Sequence, residues 1–374
     1  MPKVLRVILL NILASLVLLE SVFQVADYVG AHKKRYPLIN QNPAIASIYH
    51  LIQPPFTWEE YFLNLYSGGE LVYKGLYQPD ALLGWSMKPS LSVNKDGLTF
   101  TSNQQGFRSL HNFANDPDKY QIMIVGDSFT FGDEISDEIT WPHLLEAKNK
   151  KLNVLNMGGS GYGPDQMLLV LQQQAPRYKP DLIIVAFISD DLNRSMIGFR
   201  DFKKPKFELQ KNALTLKNVP IGSVDEVAAE VRSAAYKPSR IHLVNLWHEL
   251  LVRSVEENCK HLGSRCQQLN TAIFERMQTV ASEAHADLLI VYLPVVSEMD
   301  KASSNNKLYG EIFFEDFQKT HSNYFLNPRP QFIAAPLDRV RHHHYQLAEN
   351  QLLSRLVYEK VSTLPSWQHK VAAH

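Results

Sequence analysis

Ile122-Met-Ile-Val-Gly126-Asp127-Ser128-Phe-Thr-Phe-Gly132 is the stretch that decides how this chain is read. An apolar run rich in β-formers, Gln121 to Val125, stops abruptly at Gly126-Asp127-Ser128. A glycine at that point lets the backbone turn tightly and leaves the amide of the following serine free to donate. In open α/β sheets, ligands bind beyond the carboxyl ends of the strands. A serine at that end of a buried strand therefore sits where a substrate lies. The plain alternative is a strand-to-loop turn whose serine only caps a helix.

Outward from this segment, strands and helices alternate. Trp141 to Lys148 reads as a helix start, with Thr140 as N-cap and Pro142 in the first turn. Asn153 to Met157 is a second strand followed by a Gly-rich loop, and Pro164 to Ala175 is an amphipathic helix. Asp181 to Phe187 and Asp287 to Leu293 are continuous apolar runs, as in strands buried on both faces, and their aspartates mark strand starts. Helical patterns cover about 241–260 and 268–285, with Trp247 to Val255 as a core stripe. Gln331 to Ala335 reads as a short strand and Tyr345 to Lys360 as a closing helix. The alternation predicts a three-layer α/β/α domain over residues 119–364 with a mostly parallel central sheet. Residues 365–374 form a tail.

Residues 31–118 are rich in aromatics, Pro and Gly, and read as a β- and loop-rich lead-in with a strand near Leu98 to Ser102. Residues 198–240 are charged and irregular, an insertion or lid at the entrance to the site, with Lys203 to Lys206 as a solvated face. Residues 1–30 carry Val7 to Leu19, apolar except for Asn11 and Ser15, behind Lys3 and Arg6. Glu20 interrupts the run. With Glu20 near an interface, Val4 to Val25 is long enough to cross a bilayer; a cleaved signal peptide is the competing reading. Lys3 and Arg6 favour a cytoplasmic N-terminus, whereas Lys33, Lys34 and Arg35 oppose it. The expectation is a membrane anchor with the catalytic portion on the periplasmic side, or a secreted protein after cleavage.

Composition narrows the classes further. The 374 residues are 45% hydrophobic and 20% charged, which excludes a disordered chain, a collagen and a polytopic membrane protein. Lys plus Arg and Asp plus Glu are both 38, so there is no basic footprint for nucleic acid. Two cysteines exclude a disulfide-dense scaffold and a four-thiolate metal site. Cys259 and Cys266 either close a small loop across Gly263 or are two free thiols. Gly-x-Ser-x-Gly, P-loop and dinucleotide-binding motifs are absent.

The Gly126-Asp127-Ser128 block, with Gly132-Asp-Glu-Ile135, Thr140-Trp-Pro142 and Asn156-Met-Gly-Gly-Ser-Gly161, resembles the SGNH (GDSL-type) hydrolase superfamily. Leu83-Gly-Trp85 and Gly106-Phe-Arg108 look like the lead-in of a membrane-anchored subgroup associated with polysaccharide modification. The resemblance implies an α/β fold of flavodoxin-like layering and acyl transfer at an oxygen ester of a small molecule, carbohydrate or envelope glycan, without organic cofactor or metal. It puts the nucleophile at Ser128 and oxyanion donors at the amides of Ser128 and Gly161. The family's oxyanion asparagine falls on Asp190, in Ile188-Ser-Asp-Asp191, with Asn193 one turn on as a substitute donor. An ionised carboxylate at Asp190 would repel an oxyanion. The family's Asp-x-x-His is also altered. Asp338-Arg-Val-Arg-His342-His343-His344 offers three imidazoles, of which alignment favours His343 as base, with Asp338 orienting it. These departures leave three readings: an esterase, an O-acyltransferase of the same fold, or a catalytically impaired binding protein of an envelope polysaccharide system.

Overall fold

The computed structural model describes residues 3–32, 42–44, 47–48, 58–65, 75–211, 213–234, 240–247, 259, 263–299, 307–335, 337 and 343–372. They belong to two compact units, Met1–Glu60 with Arg232–Glu257, and Tyr61–Val231 with Asn258–His374.

In the larger unit, the lead-in forms two antiparallel pairs, β1 (Tyr77–Asp80) with β2 (Gly84–Met87), and β3 (Ser92–Lys95) with β4 (Leu98–Thr101). Asp96-Gly97 joins the second pair with both φ angles positive, 54° and 81°, the turn whose twist matches a two-residue hairpin. The central sheet follows from the apolar runs. It comprises β5 (Tyr120–Gly126), β6 (Leu152–Asn156), β7 (Leu182–Phe187) and, after an insertion of four short strands numbered in between, β12 (Asp287–Tyr292) and β13 (Tyr324–Leu326). Its order is β13-β12-β7-β5-β6, and every pairing is parallel. Ile122 stands opposite Val154 on one side and Leu182 on the other.

β5 and β7 are buried at every position, because helices cover both faces. Tyr120, Ile122 and Ile124 pack with Trp141, Leu145, Leu353, Val357 and Trp367. The helices Pro164–Tyr178 and Arg265–Glu283 pack on each other and against the sheet. At about 1.5–3 kcal/mol per buried aliphatic side chain, these layers dominate the stability of the unit. The three-layer fold is therefore the one expected from the alternation.

Four local expectations change. The segment expected as a strand from Gln331 to Ala335 is helical up to Ala334, within Arg329–Ala334, and the edge strand on that side is Tyr324–Leu326. Pro330 lies in the first turn of that helix, where its missing N–H costs nothing, and the Asn327 carboxamide accepts the Arg329 amide at 3.1 Å. The described residues of the insertion at 198–240 form regular elements: β8 (Phe199–Arg200) pairs with β9 (Phe202–Lys203), β10 (Lys206–Gln210) pairs with β11 (Ala213–Lys217), and Val224–Ala234 is a helix. Lys204 is fully buried, not part of a solvated face; it pairs with the equally buried Asp165 and donates to the Arg194 carbonyl at 3.0 Å. The described residues of the tail, 365–372, are packed: Trp367 meets the Tyr120 ring at 5.2 Å and Lys370 binds Asp181 at 2.7 Å.

Cys259 and Cys266 form a disulfide beside Gly263, and the Ser264 hydroxyl caps the helix that follows by accepting the Gln267 amide at 3.2 Å. In the smaller unit, Lys3–Ala31 is one helix, and its segment Lys3–Val29 is long and apolar enough to cross a membrane. Trp247, expected in a core stripe, is 67% exposed; residues 248–255 lie outside the described ones.

Candidate active site

β5 delivers Ser128 to the carboxyl edge of the sheet. Gly126 is obligatory there, since a Cβ would stand 2.2 Å from the Thr130 hydroxyl oxygen and 2.8 Å from the Ala186 carbonyl oxygen. Asp127 caps the single turn Ser128–Phe131, its Oδ1 accepting the Phe129 amide at 3.0 Å. Gly132 ends the turn in the left-handed region, φ 93°, and its amide donates to the Ser128 carbonyl at 2.8 Å. The Ser128 side chain is thereby held on a rigid elbow, almost wholly buried.

An imidazole meets it. His344 Nε2 lies 2.9 Å from Ser128 Oγ, a hydrogen bond in which the hydroxyl donates when Nε2 is unprotonated. His343, the base expected from alignment, is exposed, with no contact to Ser128. His342 and Asp338 lie outside the described residues. The choice of His344 has a packing cause. Tyr345 is buried, its hydroxyl donating to the Pro294 carbonyl at 2.6 Å and its ring 4.8 Å from Phe129 and 5.2 Å from Phe332. That anchor sets the residue before it over Phe129, at 4.9 Å between rings, with its Nε2 toward Ser128.

One carboxylate approaches the other ring nitrogen of this imidazole, and a second acid precedes it in sequence. Glu134 Oε1 is 3.3 Å from His344 Nδ1, close enough for an ion pair but outside hydrogen-bond geometry, so Nδ1 has no hydrogen-bond acceptor among the described residues. The Asp133 carboxylate accepts the Ser160 hydroxyl at 2.5 Å. Burial pushes the Asp133 carboxyl up from the ordinary aspartate range, and His344 and Ser160 oppose the rise. Both acids belong to the Gly132-Asp-Glu-Ile135 segment, which was legible as a motif but not as a source of groups for the histidine.

Arg108 fixes that segment. Its guanidinium binds Asp137 at 2.8 Å and donates to the carbonyls of Phe131 at 3.1 Å, Ile135 at 2.7 Å and also Gly132. It stacks over Phe100 at 4.4 Å. The lead-in also clamps the Gly-rich loop: Trp85 Nε1 donates to the Ser160 carbonyl at 2.9 Å, the Ser160 amide donates to the Tyr77 hydroxyl at 3.1 Å, and Tyr162 donates to the Trp85 carbonyl at 2.7 Å. Gly158 backs directly on the Ser128 turn, where a Cβ would come within 2.6 Å of the Phe131 nitrogen. Gly161 has φ 76°, and the Arg200 guanidinium occupies the space a side chain there would need. The backbone amides of Ser128 and Gly161 have no acceptor among the described residues.

The third block is organised around Arg194, a hub that the sequence reading missed. Its buried guanidinium lies 2.6 Å from Asp191, 3.3 Å from Asp127 and 3.0 Å from Asp190, and it donates to the Tyr162 carbonyl at 3.1 Å. Asp191 is pushed well above the usual carboxylate range, first by burial and then by Asp127, with Arg194 opposing. Asp190 is held differently: its side chain is 58% exposed and turned to Arg194. Asn193 donates its amide to the Tyr309 hydroxyl. Because the Asp190 carboxylate is largely exposed and already bound to Arg194, Asp190→Asn is expected to change turnover less than about fivefold in a steady-state ester assay. A gain or loss of 100-fold would mean that this carboxylate faces the reacting carbonyl.

The fold and this elbow define the chain as an α/β/α protein with a serine–imidazole pair at the carboxyl end of a central strand. No family model matches the chain, and no curated protein matches it. Solved structures similar to it include TesA, at 13% identity over 64% of this chain and 97% of that one, TM-score 0.39. A lipolytic protein of the G-D-S-L family from Veillonella parvula is 11% identical over 65% and 99%, TM-score 0.38. A catalytic mutant of Axe2, an acetylxylan esterase from Geobacillus stearothermophilus, is 12% identical over 66% and 96%, TM-score 0.36.

Proposed function

We propose that this chain is a serine ester hydrolase of the SGNH type, and the single observation that carries the reading is the 2.9 Å contact between Ser128 Oγ and His344 Nε2 on a glycine-bounded elbow. Ser128 Oγ attacks the acyl carbonyl carbon as His344 Nε2 takes its proton. The tetrahedral oxyanion is received by the amides of Ser128 and Gly161, a type of contact whose loss elsewhere costs roughly 100- to 1000-fold. The imidazolium returns the proton to the leaving alkoxide, the C–O ester bond breaks, and an acyl-enzyme remains. Water then adds to the acyl carbon with His344 as base, releasing the carboxylic acid and restoring Ser128.

The motif pattern of the lead-in and of Gly132-Asp-Glu-Ile135 supports an O-acyl group on a carbohydrate or envelope glycan as substrate, and the apolar helix Lys3–Ala31 supports membrane anchoring. Transfer of the same acyl group to a sugar hydroxyl needs no change in these residues. A p-nitrophenyl acetate assay of the full chain tests the reading, with Ser128→Ala as control. Turnover that vanishes in the folded variant supports it, and equal rates in both proteins overturn it.

Glu134 is proposed to steady the imidazolium through Nδ1, a role for which the sequence also offers Asp338. Glu134→Gln is expected to lower kcat roughly tenfold. That is less than the ~10⁴-fold cost at a triad acid that is fully hydrogen-bonded. If Asp338→Asn shows the larger loss, the acid is Asp338 and Glu134 is only a neighbour.

A further inference from the structure

Glu20 is the one charged residue inside the apolar stretch from Val7 to Val25, and the structure shows why it is tolerated. Its two carboxylate oxygens accept the backbone amides of His242 and Leu243, each at 2.9 Å. Gln24, one turn on, donates to the Arg240 carbonyl at 2.7 Å. The short helix at 242–247 thus starts on a carboxylate supplied by the long one, an arrangement favoured by the partial positive charge at a helix N-terminus. Phe23 and Ala26 are buried against Leu243 and Leu246. The opposite side of the segment is apolar as well: Ile241, Val244 and Trp247, three residues apart, are all exposed. Val22, Val25 and Tyr28 of the long helix are exposed at the same level of the chain.

We infer that residues 241–247 form a second membrane contact, an interfacial segment that turns Ile241, Val244 and Trp247 into the same lipid bilayer the N-terminal helix enters. The inference rests on the anchoring reading and adds to it where the bilayer ends on the helix. At about 1.5 Å per residue, a 27-residue apolar helix spans about 40 Å, some 10 Å more than a hydrocarbon core. Its last turns therefore lie in the headgroup layer, where Trp and Tyr concentrate. Basic residues border both segments in the sequence, Lys33, Lys34 and Arg35 after the long helix and Lys237 and Arg240 before the short one. That charge matches anionic lipid headgroups. The exposed triplet sits on a segment bound to the last turns of the apolar helix within the same compact unit, so one lipid surface is the occupant that covers both.

The test uses full-length protein in nanodiscs of phosphatidylcholine and phosphatidylglycerol, with a nitrobenzoxadiazole label on Trp247→Cys, Leu13→Cys or Arg355→Cys. The native cysteines are already joined. Lipids bearing a doxyl quencher at acyl carbon 5 are expected to cut emission at least twofold at positions 247 and 13 and to leave position 355 unchanged. Ile241→Cys serves as a second site should the tryptophan variant misfold. Quenching at 13 but at neither 247 nor 241 overturns the inference and leaves the anchor standing. A blue-shifted, unquenched label at 247 also overturns it, since protein would then cover the face. Quenching at none of the three overturns the anchor and the inference together.

Discussion

His344→Ala is expected to lower kcat for the proposed ester hydrolysis by roughly 10⁴-fold or more, comparable to Ser128→Ala, while His343→Ala stays near wild type. The magnitude follows from residues acting as a unit: once either the nucleophile or its base is gone, removing the other costs little more. The double variant Ser128→Ala/His344→Ala should therefore be no slower than either single one. The contrast between adjacent histidines is the sharp part. His344 Nε2 is 2.9 Å from the Ser128 hydroxyl, and His343 is exposed. Both substitutions conserve the buried Tyr345, so circular dichroism should show unchanged folding. If His343→Ala carries the loss instead, the assignment of the base fails.

Arg194→Met destabilises the fold by about 3–5 kcal/mol, the usual consequence of removing one partner from a buried charge cluster. Asp127 and Asp191 are fully buried and face this guanidinium, and Asp127 also caps the turn that carries Ser128. The effect should depend on pH in a defined direction. Burial, and then Asp127, already raise the Asp191 carboxyl, and losing the cation raises it further. A carboxyl whose folded-state value is raised binds more protons folded than unfolded, so stability falls as pH rises through the window above the ordinary aspartate range. Urea midpoints should show the variant's deficit growing from pH 5 to pH 8. A deficit that shrinks over that interval would mean that Asp191 is not the group left uncompensated. Turnover should fall too, because Asp127 caps the turn that carries Ser128, the proposed nucleophile.

The Ser128 elbow was legible because everything it needs is local. A β-forming run, a glycine with no room for a Cβ and a serine next to a capping aspartate lie within the short stretch Gln121 to Ser128, and β5 forms as the run indicates. The parallel sheet was legible for a related reason: runs such as Leu182–Phe187 and Leu288–Tyr292 are hydrophobic and buried at every position, as expected of strands covered on both faces. The edge strand was not, since Gln331 to Ala335 has the composition of either element and Pro330 in a first turn decides for helix. Nor was the burial of Lys204, whose neighbours Lys203 and Lys206 are ordinary surface lysines by type.

By itself, then, the order of residues settled the strand-and-helix alternation, the turn at Gly126 and the position of the serine, because each depends on contacts within one or two turns of chain. Which of three consecutive imidazoles faces that serine, which acid stands beside it, and why an aspartate is tolerated where a carboxamide was expected were decided only by tertiary packing. Tyr345 fixes the direction of His344 from the opposite end of the chain, and Arg194 turns Asp190 outward while neutralising its two buried neighbours. Those outcomes depend on distances between segments far apart in sequence, and spacing along a chain carries no record of them.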